Sequence, residues 1–485
     1  MRVSQHFKLG LTQPSLEFLD VDMATDTRVF IDPHAFRYLH SNWGRECVSL
    51  LEDFYEEILA AIRAGDRRRG LMLLSHAGES NEVHLGLSRG VSQGSGVGPD
   101  LARNIFKALT TSGAVISGLT RDVEDTVLFV EGVGHDRVSD MTINVVRRQL
   151  VEFTQNMCAR YGIPTSPGVD SGPMWDRHSH RWVANYMRLP VVRGKKLLLV
   201  PKAVVRKSGT FDPGDYFNNY VLPYLVDVEL LSPHSNLIQH RSRSGKFRGE
   251  RFVTKKSIKE REGGKPTKVV NTEATAANPD LLRDYRASRA DQSAPPPHDV
   301  IASATGTDGP DWDAVLNAVL AIPTGKKHAD DYHRAVQSLL NALLYPALDM
   351  PEREFNIHDG RKRIDIVYMN LADDGFFKWL GNAGDVECGQ VVVECKNYTG
   401  PLANPEFDQL TGRFSPLRGR FGLLVYRGFK DDKSAVIQHC RDAALDGRGF
   451  VIALDDEDLR LLVEARKKGE ETTFKYLMKR FRELI

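Results

Sequence analysis

Apolar positions in the last third of the chain switch repeatedly between helical and strand spacing. Leu339, Leu340, Leu343 and Leu344 recur at helical intervals within Asp330–Leu348 and predict an amphipathic helix. Pro351 follows, and the segments Glu354–His358 and Arg361–Tyr368 flank Asp359-Gly360, a two-residue signal for a type I′ hairpin. In the second segment Ile364, Ile366 and Tyr368 alternate with Arg363, Asp365 and Val367, so an apolar face lies opposite the face that carries Asp365. The Val-rich run Val391–Cys395 predicts another strand. Asn404 then stands where a helix cap belongs, with Pro405 at the first helical position. Phe407, Leu410 and Phe414 mark the apolar side of that helix, and Gln409 and Arg413 form an i,i+4 polar pair. A strand at Phe421–Tyr426, a helix over Ser434–Leu445, a strand at Phe450–Leu454 and a helix over Asp456–Lys467 complete an α-β-β-β-α-β-α-β-α order.

Upstream, the pattern is less regular and no linker interrupts it from Met1 to about Asp227. Thr27–Ile31, Leu71–Leu74 and Val127–Val130 read as strands, Cys47–Ala64 and Ile143–Tyr161 as helices, and Arg188–Val192 with Lys196–Val200 as a hairpin about Gly194. A polar stretch from about Ser232 to Gly309 contains Pro295-Pro296-Pro297 and a Gly/Thr/Ser/Asp tract. The expected organisation is an N-terminal α/β domain over 1–231 for sensing, targeting or assembly, a basic and partly flexible linker over 232–310, and a third unit over 311–485.

Composition narrows the class. With 485 residues, 41% hydrophobic and 27% charged, the chain has the make-up of a soluble protein able to bury large cores. The N-terminus lacks the apolar stretch of a secretory signal, and no apolar run is long enough to span a bilayer. Cys47, Cys158, Cys388, Cys395 and Cys440 show no paired or zinc-type spacing, which points to a reducing, cytoplasmic setting. The net charge of +1 hides a strong asymmetry: residues 241–268 hold eleven Arg or Lys against three Glu, with Phe247 and Phe252 interleaved. Arg248, Arg251, Lys255 and Lys256 in this run suit contact with a phosphate backbone, although a solvated connector explains such a run comparably well.

Candidate chemistry concentrates on Asp365, Glu394 and Lys396. Side chains two apart on a strand share a face, so Glu394 and Lys396 project together while Val391, Val393 and Cys395 point the other way. Phosphodiester hydrolysis needs charge neutralisation on the non-bridging oxygens and a deprotonated water, which a hard cation on one or two carboxylates supplies. Asp365 and Glu394 are the expected ligands of Mg2+ or Mn2+. Lys396 has the compact, movable charge that orients or deprotonates water and stabilises a pentavalent transition state. A bare Glu-x-Lys usually means a surface pair on an ordinary strand; the ordered elements around this one reverse that reading.

These residues and this element order resemble the PD-(D/E)XK, or restriction-endonuclease-like, superfamily. The stretch Gly419–Leu462, with Arg441-Asp442-Ala443 and the strand Val451-Ile452-Ala453-Leu454, is similar to methylation-dependent restriction endonucleases and prokaryotic antiphage defence nucleases. The resemblance covers roughly a third of the chain, lacks the proline before Asp365, and requires an insertion at Asn370–Gly389. It implies a mixed sheet flanked by helices, with Asp365, Glu394 and Lys396 as catalytic triad, the Cys395 carbonyl as a further metal ligand, and Gln409 positioning substrate or lysine. Arg413 is then a phosphate contact, and Asp331 or Glu354 a supplementary acid. The function implied is metal-dependent hydrolysis of nucleic acid, with DNA the expected substrate and defence against foreign DNA the expected setting. Cutting both strands often takes two active sites, so a homo-oligomer or partner protein fits the resemblance. A repair or recombination nuclease, or a non-catalytic nucleic-acid-binding protein on the same fold, are the alternatives.

Three further clusters have ordinary explanations that compete with functional ones. Gly86–Gly98 precedes a helix and offers amides to an anion, but it is neither a Walker loop nor a dinucleotide fingerprint. Glu131, Asp136, Arg137 and Asp140 suit a polar site, or equally caps and turns. His178 and His180 with Asp176 read as a surface loop before they read as metal ligands.

Overall fold

The structure, a computed structural model, describes residues 1–86, 99–240, 250–290, 294–357, 362–402, 404–416, 418–428 and 433–485. In the C-terminal unit, helices α1 (Trp312–Leu320) and α2 (Ala329–Leu343) precede strands β1 (Leu348–Ile357) and β2 (Lys362–Asn370). There follow α3 (Gly375–Asn382), β3 (Gln390–Lys396), α4 (Asn404–Thr411), β4 (Phe421–Tyr426), α5 (Lys433–Leu445), β5 (Phe450–Leu454), α6 (Asp456–Lys467) and α7 (Glu470–Arg482). The five strands form one mixed sheet in the order β1-β2-β3-β4-β5. β1–β2 and β2–β3 are antiparallel, and β3–β4 and β4–β5 are parallel. Parallel neighbours need a crossover, and the segments carrying α4 and α5 provide the two.

Helices α1, α2 and α6 pack on one another, and α4 packs on α5. Tyr368 donates from its hydroxyl to Asn341 Oδ1 of α2 at 2.7 Å, so the Ile364/Ile366/Tyr368 face meets α2. The opposite face meets α4. Val391, Val392 and Val393 are therefore all fully buried, and Glu394 shares a covered face instead of a solvated one. Central parallel strands have both faces covered.

Three elements were not expected. α1 precedes the first expected helix, α3 forms inside the Asn370–Gly389 insertion, where Phe376 and Phe377 stack edgewise on Phe421, and α7 closes the sheet's end with Phe481 against Phe450. The turn at Asp359-Gly360 lies outside the described residues.

The N-terminal unit is more helical than its pattern suggests. Asn42–Arg63 is a 22-residue helix whose cap, Ser41, accepts from Gly44 N–H at 2.9 Å. Leu50, Phe54, Tyr55 and Ile58 face its core. Leu71–Leu74 is not a strand but the end of a helix over Arg67–Leu74, started by the Asp66 carboxylate on Arg69 N–H. Val127–Val130 likewise gives way to a helical turn over Asp125–Phe129, where Asp125 Oδ2 accepts from the amides of Arg121 and Asp122. Four-residue apolar runs do not distinguish a buried strand from a buried helix; in the first a carboxylate cap sets the helix. Ile143–Tyr161 divides into helices His135–Val145 and Arg147–Tyr161. Strand pairing is confined to two-stranded pieces, including Val191–Val192 with Lys195–Lys196 about Gly194, whose φ is +77°.

The 232–310 stretch departs from a linker over much of its length. It contains helices Lys255–Glu262, Thr267–Ala277, Asp280–Ala290 and His298–Thr305. Val270, Ala274, Leu282 and Tyr285 are buried with Phe129, Phe211 and Tyr216 of the N-terminal unit. The sparse apolar residues of this polar stretch suffice because each helix buries only one narrow stripe.

α2 also joins the two units. Gln337 and Asn341 donate to the buried Glu17 carboxylate at 3.0 and 3.1 Å, and Arg160 reaches the same Oε1 at 2.6 Å. Lys202, buried, donates to the Pro14 carbonyl and lies 4.1 Å above the Tyr345 ring. Among the described residues, no helix is long and apolar enough to cross a membrane.

Candidate active site

The β2–β3 register runs from Met369 opposite Gln390 to Ile366 opposite Val393. One further step sets Asp365 across from Glu394. There the side chain enters the ladder: Asp365 Oδ2 accepts from Cys395 N–H at 2.9 Å. Strand parity puts Lys396 on the Glu394 face, and its Nζ stands 3.4 Å from Glu394 Oε2. From α4, Gln409 Oε1 accepts from the same Nζ at 3.0 Å. Arg413, just beyond the end of α4, pairs with Glu394 Oε1. Asp365, Glu394, Lys396, Gln409 and Arg413 thus form one constellation, built by two adjacent strands and a helix covering them.

Burial sets its electrostatics. Glu394 is fully inaccessible and Lys396 and Arg413 nearly so, so the carboxylate is balanced by two cations inside the protein. Burial pushes the Arg413 pKa down, the Asp365 carboxylate opposes that, and Arg363 adds to it. Arg413 was expected to face phosphate; in the structure its guanidinium closes on Glu394 instead.

The supplementary acids fare differently. Asp331 pairs with Arg334 one turn away on an exposed stretch of α2. Glu354 falls opposite Asp365 when the β1–β2 register is stepped from Arg353–Ile366, but its φ is +55° and its carboxylate lies 3.5 Å from Arg363 on the exposed hairpin. A residue forced into the left-handed region re-aims its side chain.

The sequence reading missed His333. Its Nε2 lies 3.0 Å from the Cys395 carbonyl oxygen and 3.9 Å from Asp365 Oδ2. The signal was present: His333, Gln337 and Asn341 form a polar stripe at i, i+4 and i+8 beside the buried face of α2.

Among the described residues, no three His, Cys, Asp or Glu side chains gather as a metal cluster. The donors set near one another are the Asp365 carboxylate, the Cys395 carbonyl and His333, with Glu394 across from Asp365 on the same face. Mg2+ binds through one or two carboxylates and fills its remaining positions with water and substrate phosphate. The donor set fits such an ion, although Arg413 and Lys396 must yield part of the Glu394 carboxylate to it.

The other candidates stand apart. Arg251 donates to the carbonyls of Leu230 and Ser232; Lys256 lies 3.7 Å from Glu260, and Lys255 is exposed. Ile258 packs their helix against Leu222. Arg248 lies outside the described residues, as do residues 87–98 of the Gly-rich loop. Burial, with Glu79 the largest neighbouring charge, raises the Asp140 pKa to about 7; Arg137 turns to the Gly132 carbonyl. His180 Nδ1 pairs with Glu57 at 2.8 Å and Asp176 accepts from Ser179, so His178 and His180 converge on no metal.

Comparison with known proteins reaches the other end of the chain. No curated protein and no solved structure matches. Residues 8–212 match the family model described as a domain of unknown function, DUF8370, and the five-stranded sheet with its constellation lies beyond that match.

Proposed function

We propose that the protein is a metal-dependent nuclease of the PD-(D/E)XK type, acting on DNA, with its site at Asp365, Glu394 and Lys396. The observation that carries this reading is the meeting of an acid from β2 with a Glu-x-Lys pair from β3, the lysine held by Gln409 from the covering helix. Asp365, Glu394 and the Cys395 carbonyl would hold Mg2+ or Mn2+, with His333 as a neighbouring donor. When bound, such an ion neutralises phosphate charge and acidifies water.

The chain's own side chains have separable tasks. Gln409 accepts one Lys396 proton and so fixes where the ammonium points. Lys396 offers its remaining protons to the oxygens that gain charge as phosphorus becomes pentavalent. Arg413 balances Glu394 in the free protein and is placed to turn towards the phosphodiester once that carboxylate has another cation. Defence against foreign DNA is the setting the resemblance supports, with the N-terminal unit as sensor or assembly module.

The test is incubation of purified protein with circular DNA, linear DNA and RNA, with Mg2+ or Mn2+ and with EDTA. Opening of circular DNA that stops in EDTA is expected; undiminished cleavage in chelator sinks the metal assignment. The second reading, a binding protein on a nuclease fold, draws on the closure of Arg413 over Glu394. It predicts DNA binding and no cleavage with either metal.

A further inference from the structure

The connection from α1 to α2 is pinned against the exit of β3. Asn397, the buried residue after Lys396, donates from Nδ2 to the carbonyls of Pro323 and Gly325 at 3.0 and 3.1 Å. Its own carbonyl accepts from Gly325 N–H at 2.9 Å. From the end of β4, Arg427 ties the same connection through the Ile322 carbonyl at 2.6 Å and donates its own N–H to the Lys396 carbonyl at 3.3 Å. The turn Lys326–His328 is therefore fixed to the backbone that carries Lys396.

That turn presents Lys326 and Lys327 to solvent, and among the described residues neither lysine has an ion-pair partner. Tyr398, directly after Asn397, is 40% exposed, and a Cβ on Gly325 would stand 3.5 Å from Thr399, so the turn and this segment run side by side. The Tyr398 backbone follows Lys396 by two residues, and its hydroxyl engages Glu406. A turn that carries two cations, tied to the segment that carries an exposed ring, offers the two components of a single-strand grip: lysines track phosphates and a ring stacks on a base whatever its sequence. A duplex keeps its bases stacked and offers the ring nothing.

We propose that Lys326 and Lys327 with Tyr398 form a grip for an unpaired nucleic-acid strand at the mouth of the site, the lysines taking phosphates next to the scissile bond and Tyr398 stacking on a base. The placement of the scissile bond rests on the nuclease reading; the grip itself is measured by binding.

The probe is fluorescein-labelled oligo-dT, alone or annealed to oligo-dA, titrated with full-length Lys396→Ala protein in Ca2+ at several salt concentrations. Adding Lys326→Gln and Lys327→Gln should flatten the dependence of log K on log salt by about 0.7 per lysine on the single strand. Tyr398→Ala should weaken single-strand binding about 5-fold or more, leave the duplex unaffected, and be rescued by Tyr398→Phe. An unchanged salt slope, single-strand affinity unmoved by Tyr398→Ala, equal losses on both probes, or no binding of oligo-dT at all overturns the grip. Wild-type protein that cuts while these variants bind unchanged loses the grip alone; protein whose variants behave as stated but which cuts nothing with Mg2+ or Mn2+ loses the nuclease reading alone.

Discussion

Glu394 shows how much one side chain can be asked to hold. It is fully buried, and its charge is met by Lys396 on its own strand and Arg413 from beyond α4. Removing one partner of a buried pair leaves charge uncompensated, so Arg413→Ala should destabilise the protein by about 3 kcal/mol, read as a lower urea midpoint with unchanged slope. A midpoint equal to wild type would show that Lys396 alone balances the carboxylate. Gln409 sits outside that pair and is exposed. Gln409→Ala should therefore leave stability alone and lower turnover about 10-fold, at the low end for a partner that orients a site residue, with KM little changed. The Glu-x-Lys pair and its glutamine were legible in sequence because strand parity and helix spacing fix which residues share a face. The turning of Arg413 onto Glu394 was not, since it depends on a covered face that alternation alone does not reveal.

At the scale of elements, what could be read followed the length of the periodic signal. The strands Val391–Cys395, Phe421–Tyr426 and Phe450–Leu454 and the helices between them carry long or bounded patterns, and the structure has them within a residue or two, except that α4 stops at Thr411, short of Arg413 and Phe414. Leu71–Leu74 and Val127–Val130 were too short to separate strand from helix; the Asp66 carboxylate caps the first helix, and the Asp125 carboxylate ties down the turn that precedes the second. α3 escaped notice because Phe376, Phe377 and Leu380 mark little more than one turn. The polar stripe of α2 was overlooked for a different reason: its partners, Glu17 and the Cys395 carbonyl, come from distant parts of the chain. If His333 helps hold a cation at Asp365, His333→Ala should weaken Mn2+ binding, measured calorimetrically, by about 10-fold, the lower end for a residue supporting a metal site. Equal Mn2+ affinity would return His333 to a purely structural contact with Cys395.

Across the whole molecule, the junction of the two units is charged and buried. Asp349 on β1 is held near Lys202 of the N-terminal unit, and burial pushes its pKa up to about 6 against the attraction of that lysine. A carboxyl whose folded pKa exceeds the unfolded value near 4 binds its proton more tightly when folded. Its contribution is thus fully present below about pH 4 and is lost as pH rises through about 6. Asp349→Asn should remove that part of the decline, seen as a shallower fall of urea stability between those pH values than in wild type. Parallel curves would mean that Asp349 titrates alike in both states. The same junction leads through Glu17, Gln337 and Asn341 along α2 to His333, so the sheet that carries the site is braced by the unit matching DUF8370. The central claim remains that Asp365, Glu394 and Lys396 hydrolyse phosphodiesters, and the most direct measurement is single-turnover cleavage of circular DNA by wild type and Lys396→Ala, with Mn2+ and DNA binding measured on both. Lys396→Ala keeps both carboxylates, so it should bind metal and DNA and yet cut about 10²-fold more slowly or worse. A Lys396→Ala protein that cuts at the wild-type rate would contradict the account.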